Sequence, residues 1–391
     1  MQEKIKWSTF LKDVLICSLG AYGGPEAHYG VFTERMITKK QYITEEELGE
    51  YIALTSILPG PSSTQTIISI GYKVGGPVLG FLTLLVWALP IVLVMTGLSF
   101  MYQFFINQDI STEILRYIGP MAVGFIGVAA YRIGRKVIRN YLHIVLFVLA
   151  IVVTFVYRNV WVFPSLLLFG GIVSLISSKE EDVWHKVSLK PPYQYLIIFG
   201  VFAFGLLLGV VLFDGMLLWL FERFYRYGYL IIGGGQVVVP YMYTDLVEVN
   251  MFMSSEEFLT GFGLVQGLPG PMFSFSAYAG GMAAREGTAL FQIVGGLLSA
   301  FAIFLPGVLL IYFVLPVWEQ LKAIKGLKIA LKGITVVAAG LIASAGIVLM
   351  RESGLSLENF IVVIVTITLL LSKKVPAPII VVLALLAGAL I

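Results

Sequence analysis

Long apolar runs separated by short polar stretches fill the chain, and the lengths of those runs set its class. No residue from Tyr193 to Phe213 carries a charge, and from His143 to Tyr157 only His143 could. A helix of about 20 apolar residues crosses a bilayer, and helices satisfy their own backbone groups in lipid. The pattern therefore predicts an all-α polytopic membrane protein. Along the chain, an apolar stretch at 8–22 meets Gly23-Gly24-Pro25, and a second short stretch runs to about 38. Another pair, about 45–58 and 62–75, is interrupted by Pro59-Gly60-Pro61. None of these short stretches reaches full span length, so they read as broken, re-entrant helices. Four spans are expected next, near 78–104, 115–133, 141–157 and 160–177.

The plan then recurs. Gly23-Gly24-Pro25-Glu26 has a counterpart in Gly233-Gly234-Gly235-Gln236, displaced by 210 positions. The same displacement maps Glu46-Glu47 onto Glu256-Glu257, and Leu58-Pro59-Gly60-Pro61 onto Leu268-Pro269-Gly270-Pro271. Beyond these motifs Pro90 matches Pro306 at a displacement of 216, so the second copy carries six extra residues around Glu286. Its spans are expected near 288–315, 330–350, 357–372 and 375–391. The chain thus divides into an N-terminal repeat (1–177), a polar connector with one linking span (178–214), and a C-terminal repeat (215–391).

Charge predicts how the repeats are oriented. If the interrupted pairs return to their starting side, each half crosses the membrane four times, and the linking span inverts the second half. With the N-terminus cytoplasmic, 20 of the 26 Lys and Arg residues, including those of the connector, fall inside. The remaining 6, Arg116, Arg158, Arg223, Arg226, Arg285 and Arg351, fall outside or in the membrane. Equivalent loops carry opposite bias: 34–47 holds Arg35, Lys39 and Lys40, whereas 244–257 holds no basic residue. That is the signature of inverted repeats under the positive-inside rule.

Composition narrows the picture further. Apolar residues make up 58% of the chain and charged ones 13%, against roughly 45–50% and ~25% in soluble domains. The basic residues are scattered between spans, which excludes a nucleic-acid footprint. Cys17 is the sole cysteine, so disulfides and Cys-rich metal sites are excluded. Lys12 and Asp13 interrupt the early apolar run, which speaks against a cleaved signal peptide. Phosphate-loop and dinucleotide fingerprints are absent, so neither an enzyme nor a cofactor is expected, and transport would draw on ion gradients.

The breaks carry the candidate chemistry. Broken backbone in lipid is tolerated where protein covers it or where it lines a wet cavity. Pro25, Pro61 and Pro271 read as helix starts, since a first-turn proline loses little, and Gly235 stands at the fourth start. Each start exposes N–H groups and a partial positive charge suited to an anion. Glycines beside them, Gly23, Gly24, Gly60, Gly233, Gly234 and Gly270, permit close backbone approach. Ser62, Ser63, Thr64 and Gln65 after one break, and Ser274 and Ser276 after another, add side-chain donors, with helix capping as the alternative role. Glu26 and His28 are proton-coupling candidates, because an ionised carboxylate beside an anion is repulsive and histidine titrates near neutrality. Their alternatives are a capping carboxylate and a hydrogen-bonded core histidine. Gln236, opposite Glu26 in the repeat, is polar but cannot ionise. Arg223 and Arg226, set among tyrosines, suit interfacial anchoring or guidance of an oxyanion. Glu45, Glu46 and Glu47 read as an acidic helix start.

Tyr22-Gly23-Gly24-Pro25-Glu26-Ala27-His28, the paired Leu-Pro-Gly-Pro motifs, and Gly233-Gly234-Gly235-Gln236 followed by Pro240 resemble the chromate ion transporter family, in its long two-domain form. Tyr22 and Ile232 stand where that family usually has phenylalanine. The resemblance implies a multi-pass carrier of the bacterial-type cytoplasmic membrane that exports chromate and confers resistance, with exchange for another ion as one driving mode. The residues themselves specify a small tetrahedral anion. They leave open a sulfate transporter, which handles the same charge and shape, and an anion channel on the same fold. Expected partners are the oxyanion, the bilayer and a coupling proton, with no nucleic acid.

Overall fold

The structure, a computed structural model, describes residues 5–107, 113–180, 183–184, 190–230 and 235–390. Those residues form seventeen α-helices. Before the first long helix lie α1 (Trp7–Gly20), α2 (Pro25–Phe32) and α3 (Glu45–Thr55). The next four are α4 (Ser62–Asn107), α5 (Ile118–Val137), α6 (Tyr141–Val156) and α7 (Val162–Ile176). After the connector come α8 (Tyr193–Leu212), α9 (Met216–Leu230), α10 (Val238–Tyr243), α11 (Ser255–Gln266) and α12 (Phe275–Ala283). The chain closes with α13 (Ala289–Val314), α14 (Trp318–Leu321), α15 (Lys325–Glu352), α16 (Leu357–Ser372) and α17 (Ala377–Leu390).

Local chemistry sets many of these ends, and it recurs at the sequence displacement. The Thr44 hydroxyl accepts from Glu47 N at 3.1 Å while the Glu47 carboxylate accepts from Thr44 N at 3.0 Å, which starts α3 with a capping box. Ser254 and Glu257 do the same for α11. A wide π turn follows α2 at Thr33–Lys39 and follows α10 at Thr244–Val249. Each ends near a left-handed residue, Gln41 (φ 52°) and Met251 (φ 51°). The acidic start of α3 is thus a capping device, as its sequence suggests.

Among the described residues, five stretches are long and apolar enough to cross a membrane: Ser62–Tyr102, Glu113–Val137, Tyr193–Leu212, Ala289–Leu321 and Lys325–Glu352. The expectation of four full spans per half needs correcting. Helices α6, α7, α16 and α17 have 16, 15, 16 and 14 residues, or about 21–24 Å at ~1.5 Å per residue, short of the ~30 Å hydrocarbon core. Asn140 and Ser356 cap α6 and α16 at their starts, so both helices begin where the sequence expects spans, at 141 and 357. Within α4, Gly75 and Gly76 leave helical geometry (Gly76 φ 78°) just before Pro77, so its first and second parts are distinct segments.

The helices sort into two compact units, and each draws on both sequence halves. One contains residues 1–100, 190–229 and 268–318; the other contains 101–189, 230–267 and 319–391. In the first unit α1 and the α2 region lie side by side. Asp13, 2% exposed, is ion-paired with Arg35, takes a 2.6 Å bond from the Tyr42 hydroxyl, and has Lys40 Nζ 3.7 Å away. Positions 13 and 35 are equidistant from Gly24, so the chain folds back at the Gly-Gly-Pro break. Thr55 and Thr66, whose hydroxyls are 2.9 Å apart, flank Gly60 and Pro61 in the same way. Phe10, Val14, Cys17, Phe32, Met36 and Trp87 fill the space beneath. In the second unit α15 packs against α5, α6 and α7, and glycines allow close approach: a Cβ on Gly333 would sit 2.1 Å from the Gly170 carbonyl oxygen.

Candidate functional site

Three of the four predicted breaks lie in the first unit, and named bonds join them. Pro25 occupies the first turn of α2, after Gly23 (φ 88°) and Gly24 (φ 92°). One helical turn on, buried His28 presents Nδ1 to Ser63 Oγ at 2.9 Å, linking the Gly-Gly-Pro break to the start of α4. Gly270 N donates to Ala21 O at 2.7 Å, linking the break before α12 to the end of α1. A Cβ on Gly270 (φ 91°) would meet Ile91 at 2.9 Å, so that approach requires glycine twice over, by space and by backbone.

The first turn of α4 is a hub. Successive residues point about 100° apart around a helix, and each finds a different partner. Ser63 meets His28, Thr64 Oγ1 accepts from Trp87 Nε1 at 3.1 Å, and Gln65 Nε2 donates to Pro59 O at 2.7 Å. The Gln65 amide also reaches Gly307 O at 3.4 Å, just past Pro306 in α13. It fills a slot between two glycines: a Cβ on Gly60 would come within 2.8 Å of its Nε2, and one on Gly307 within 3.2 Å. Ser62 and Thr66 face the Tyr29 hydroxyl. Trp87 stands at the centre, edge-on to His28 with centroids 5.3 Å apart, and its carbonyl accepts from Ser18 Oγ at 2.7 Å.

These side chains wire the breaks together, and two leave buried atoms without protein partners: Gln65 Oε1 and His28 Nε2. Ser274 Oγ, in the turn between Pro271 and α12, is a third. Ser276 donates to Phe273 O at 2.7 Å within its own helix. Glu26 lies exposed in the first turn of α2. At the remaining break, Gly233 and Gly234 lie outside the described residues, while Gly235 and Gln236 form a short 3-10 turn leading into α10 in the second unit. Arg226 does not sit at an interface with solvent: it is 7% exposed and donates to Glu222 at 2.8 Å, one turn back in α9.

Sequence reasoning overlooked Trp87, the Gln65 slot and the ion pair of Asp13 with Arg35. Only Asp13 left a trace, as a lone carboxylate inside an apolar run.

The membrane-length helices among the described residues define a multi-pass membrane protein. The chain belongs to the chromate transporter family, which matches residues 8–175 and again 218–389. A probable chromate transport protein of Synechococcus elongatus is 26% identical over 377 residues, spanning 95% of this chain and 93% of that protein. An uncharacterized transporter of Methanocaldococcus jannaschii is 26% identical over 377 residues, spanning 95% of this chain and 91% of its own. The chromate transport protein of Cupriavidus metallidurans is 26% identical over 387 residues, spanning 94% of this chain and 88% of its own. No solved structure matches the chain.

Proposed function

We propose that the protein is a secondary-active carrier that exports a tetrahedral oxyanion, chromate, across the cytoplasmic membrane and so confers chromate resistance. The observation that carries this reading is the joining of three helix breaks within one unit, through His28–Ser63 (2.9 Å) and Gly270–Ala21 (2.7 Å). Helix starts offer N–H groups without intrahelical partners and the positive end of the dipole. In α4 the first intrahelical bond runs from Gln65 N to Pro61 O, so the N–H groups of Ser62, Ser63 and Thr64 precede the ladder. Backbone at Gly23, Gly24, Gly60 and Gly270 binds the dianion alongside them, and the hydroxyls and Gln65 shape the helix starts. Glu26 couples anion binding to a proton, with His28 as its relay.

Inverted topology supports alternating access. It survives the shortness of α6, α7, α16 and α17, because inversion depends on parity. Whether a half crosses two times or four, the single linking span turns the next half over.

Proteoliposomes carrying the purified protein test the proposal. Radiolabelled chromate and sulfate are offered under imposed pH gradients, with counterflow measured. Saturable, counterflow-competent chromate flux is expected. Flux that never saturates would identify a channel, and preference for sulfate would reassign the substrate.

A further inference from the structure

The second unit contains a small cavity distinct from the helix breaks, with a donor set of its own. It has a volume of about 20 Å³, room for roughly one water molecule. Its mouth is an ion pair between Arg158, on the loop joining α6 to α7, and Glu248, on the π turn after α10; their side chains are 28% and 20% exposed. Deeper lining residues are buried, among them Thr244 at 5% and Ser344 at 2%.

One buried oxygen of a residue lining this space lacks a protein partner. Glu248 binds Arg158 through Oε1, leaving its buried Oε2 with no hydrogen bond. Thr244 and Ser344, both buried, line the same cavity with hydroxyl-bearing side chains. Buried polar groups are nearly always satisfied, and each orphan costs about 1–3 kcal/mol. One such orphan beside two buried hydroxyl-bearing residues, at a water-sized space, calls for an occupant.

Size and charge choose among occupants. A tetrahedral oxyanion has five heavy atoms and does not fit one water's volume. A divalent cation wants six to eight oxygens, typically several of them carboxylates, and one carboxylate lines the cavity. The charged groups around Glu248 are Arg158 from the loop, Glu352 at the end of α15, and Asp245 on the π turn itself. Glu352 is reached through Ser255 Oγ (3.4 Å), which also meets the Tyr243 hydroxyl (2.8 Å). Asp245 is held by Asn250 Nδ2 at 2.9 Å. Of the carboxylates, Glu248 alone lines the cavity, and it meets Arg158 through one oxygen, leaving the other free. We propose that this cavity binds one small monovalent cation, sodium or hydronium, through Glu248 Oε2, Thr244 Oγ1 and Ser344 Oγ. Arg158 fixes the other carboxylate oxygen and so aims Oε2 inward. The π turn supplies two of the three donors, and such wide turns often mark functional sites. The site rests on the reading of the chain as a gradient-driven carrier, and names the ion that drives it.

The test is made on purified full-length protein in nanodiscs with no oxyanion present, so failure of chromate transport and failure of this site are separate results. Sodium binding is titrated by calorimetry in choline chloride, and proton uptake is followed between about pH 8 and 6. One saturable sodium per chain, weakened roughly tenfold or more by both Glu248→Gln and Ser344→Ala, establishes a sodium site. No sodium binding, with one proton fewer taken up by Glu248→Gln, establishes a hydronium site. Neither sodium binding nor a missing proton overturns the proposal, as do variants that bind like the parent. Ser344→Ala leaves the ion pair intact and serves where Glu248→Gln folds poorly.

Discussion

His28 Nδ1 and Ser63 Oγ are 2.9 Å apart, so one hydrogen bond joins the helix that starts at Pro25 to the helix that starts at Ser62. Neither helix start can shift alone without breaking it. Ser63→Ala is expected to lower stability by about 1–3 kcal/mol, because it leaves a buried ring nitrogen unpaired. Transport should fall further than stability does. Thermal unfolding in detergent beside flux checks this, and a parent-like melting curve would count against the bond.

The second prediction concerns Asp13 and Arg35. Removing one member of a buried pair leaves the other uncompensated, at a cost of about 3 kcal/mol. Asp13→Asn and Arg35→Gln should each reduce the yield of folded protein. The repeat suggests the rescue: positions 13 and 35 correspond at the 210 displacement to Arg223 and Asp245, with the charges exchanged. The double variant Asp13→Arg with Arg35→Asp should therefore recover part of what either single change loses. Equal damage from the double and the single reversals would exclude direct pairing.

Gly60 and Gly24 separate strain from crowding. Both have positive φ, 120° and 92°, which costs an L-residue about 1–2 kcal/mol. Open space surrounds a Cβ at Gly24, whereas one at Gly60 meets the Gln65 amide at 2.8 Å. Gly60→Ala should destabilise more than Gly24→Ala, and Gln65→Ala in the same chain should remove the excess. A bulky residue at Gly60 should abolish transport while the chain still inserts into membranes.

Proton coupling has its own signature. A bound dianion and an ionised Glu26 oppose each other, so anion binding favours proton uptake and low pH favours anion binding. Glu26→Gln should keep binding and lose the pH dependence of flux between about pH 5.5 and 8. His28→Asn should match it if the ring relays the proton, and do less if the ring only orients the helix. An unchanged pH profile in Glu26→Gln returns Glu26 to a capping role.

Topology is checked with reporters. Fusions at Ser178 and at the C-terminal end should report opposite sides, with Ser178 cytoplasmic. The same side for both would sink the inverted arrangement.

What the sequence disclosed was local. Breaks at Gly24 and Gly60 are legible because proline and left-handed glycine act on their own backbone, and the start of α3 because Thr44 and Glu47 are three residues apart. The starts of α6 and α16 are legible as well, because polar stretches give way to apolar runs at the caps Asn140 and Ser356. Side-chain roles were harder. Ser63, Thr64 and Gln65 read as free donors, but partners 23 to 242 residues away had claimed them. Nothing near Trp87 in the chain marks it as the centre of that network.

Helix α8 has no buried residue, although its aromatic side chains touch α9 and α13. Lipid therefore constrains its sequence more than neighbouring side chains do. If its office is to turn the second repeat over, any apolar span of similar length should serve. Two separately translated halves, inserted in opposite senses, would do without it. On that view α8 is an adapter between orientations: it lets one chain deliver both in a fixed one-to-one ratio.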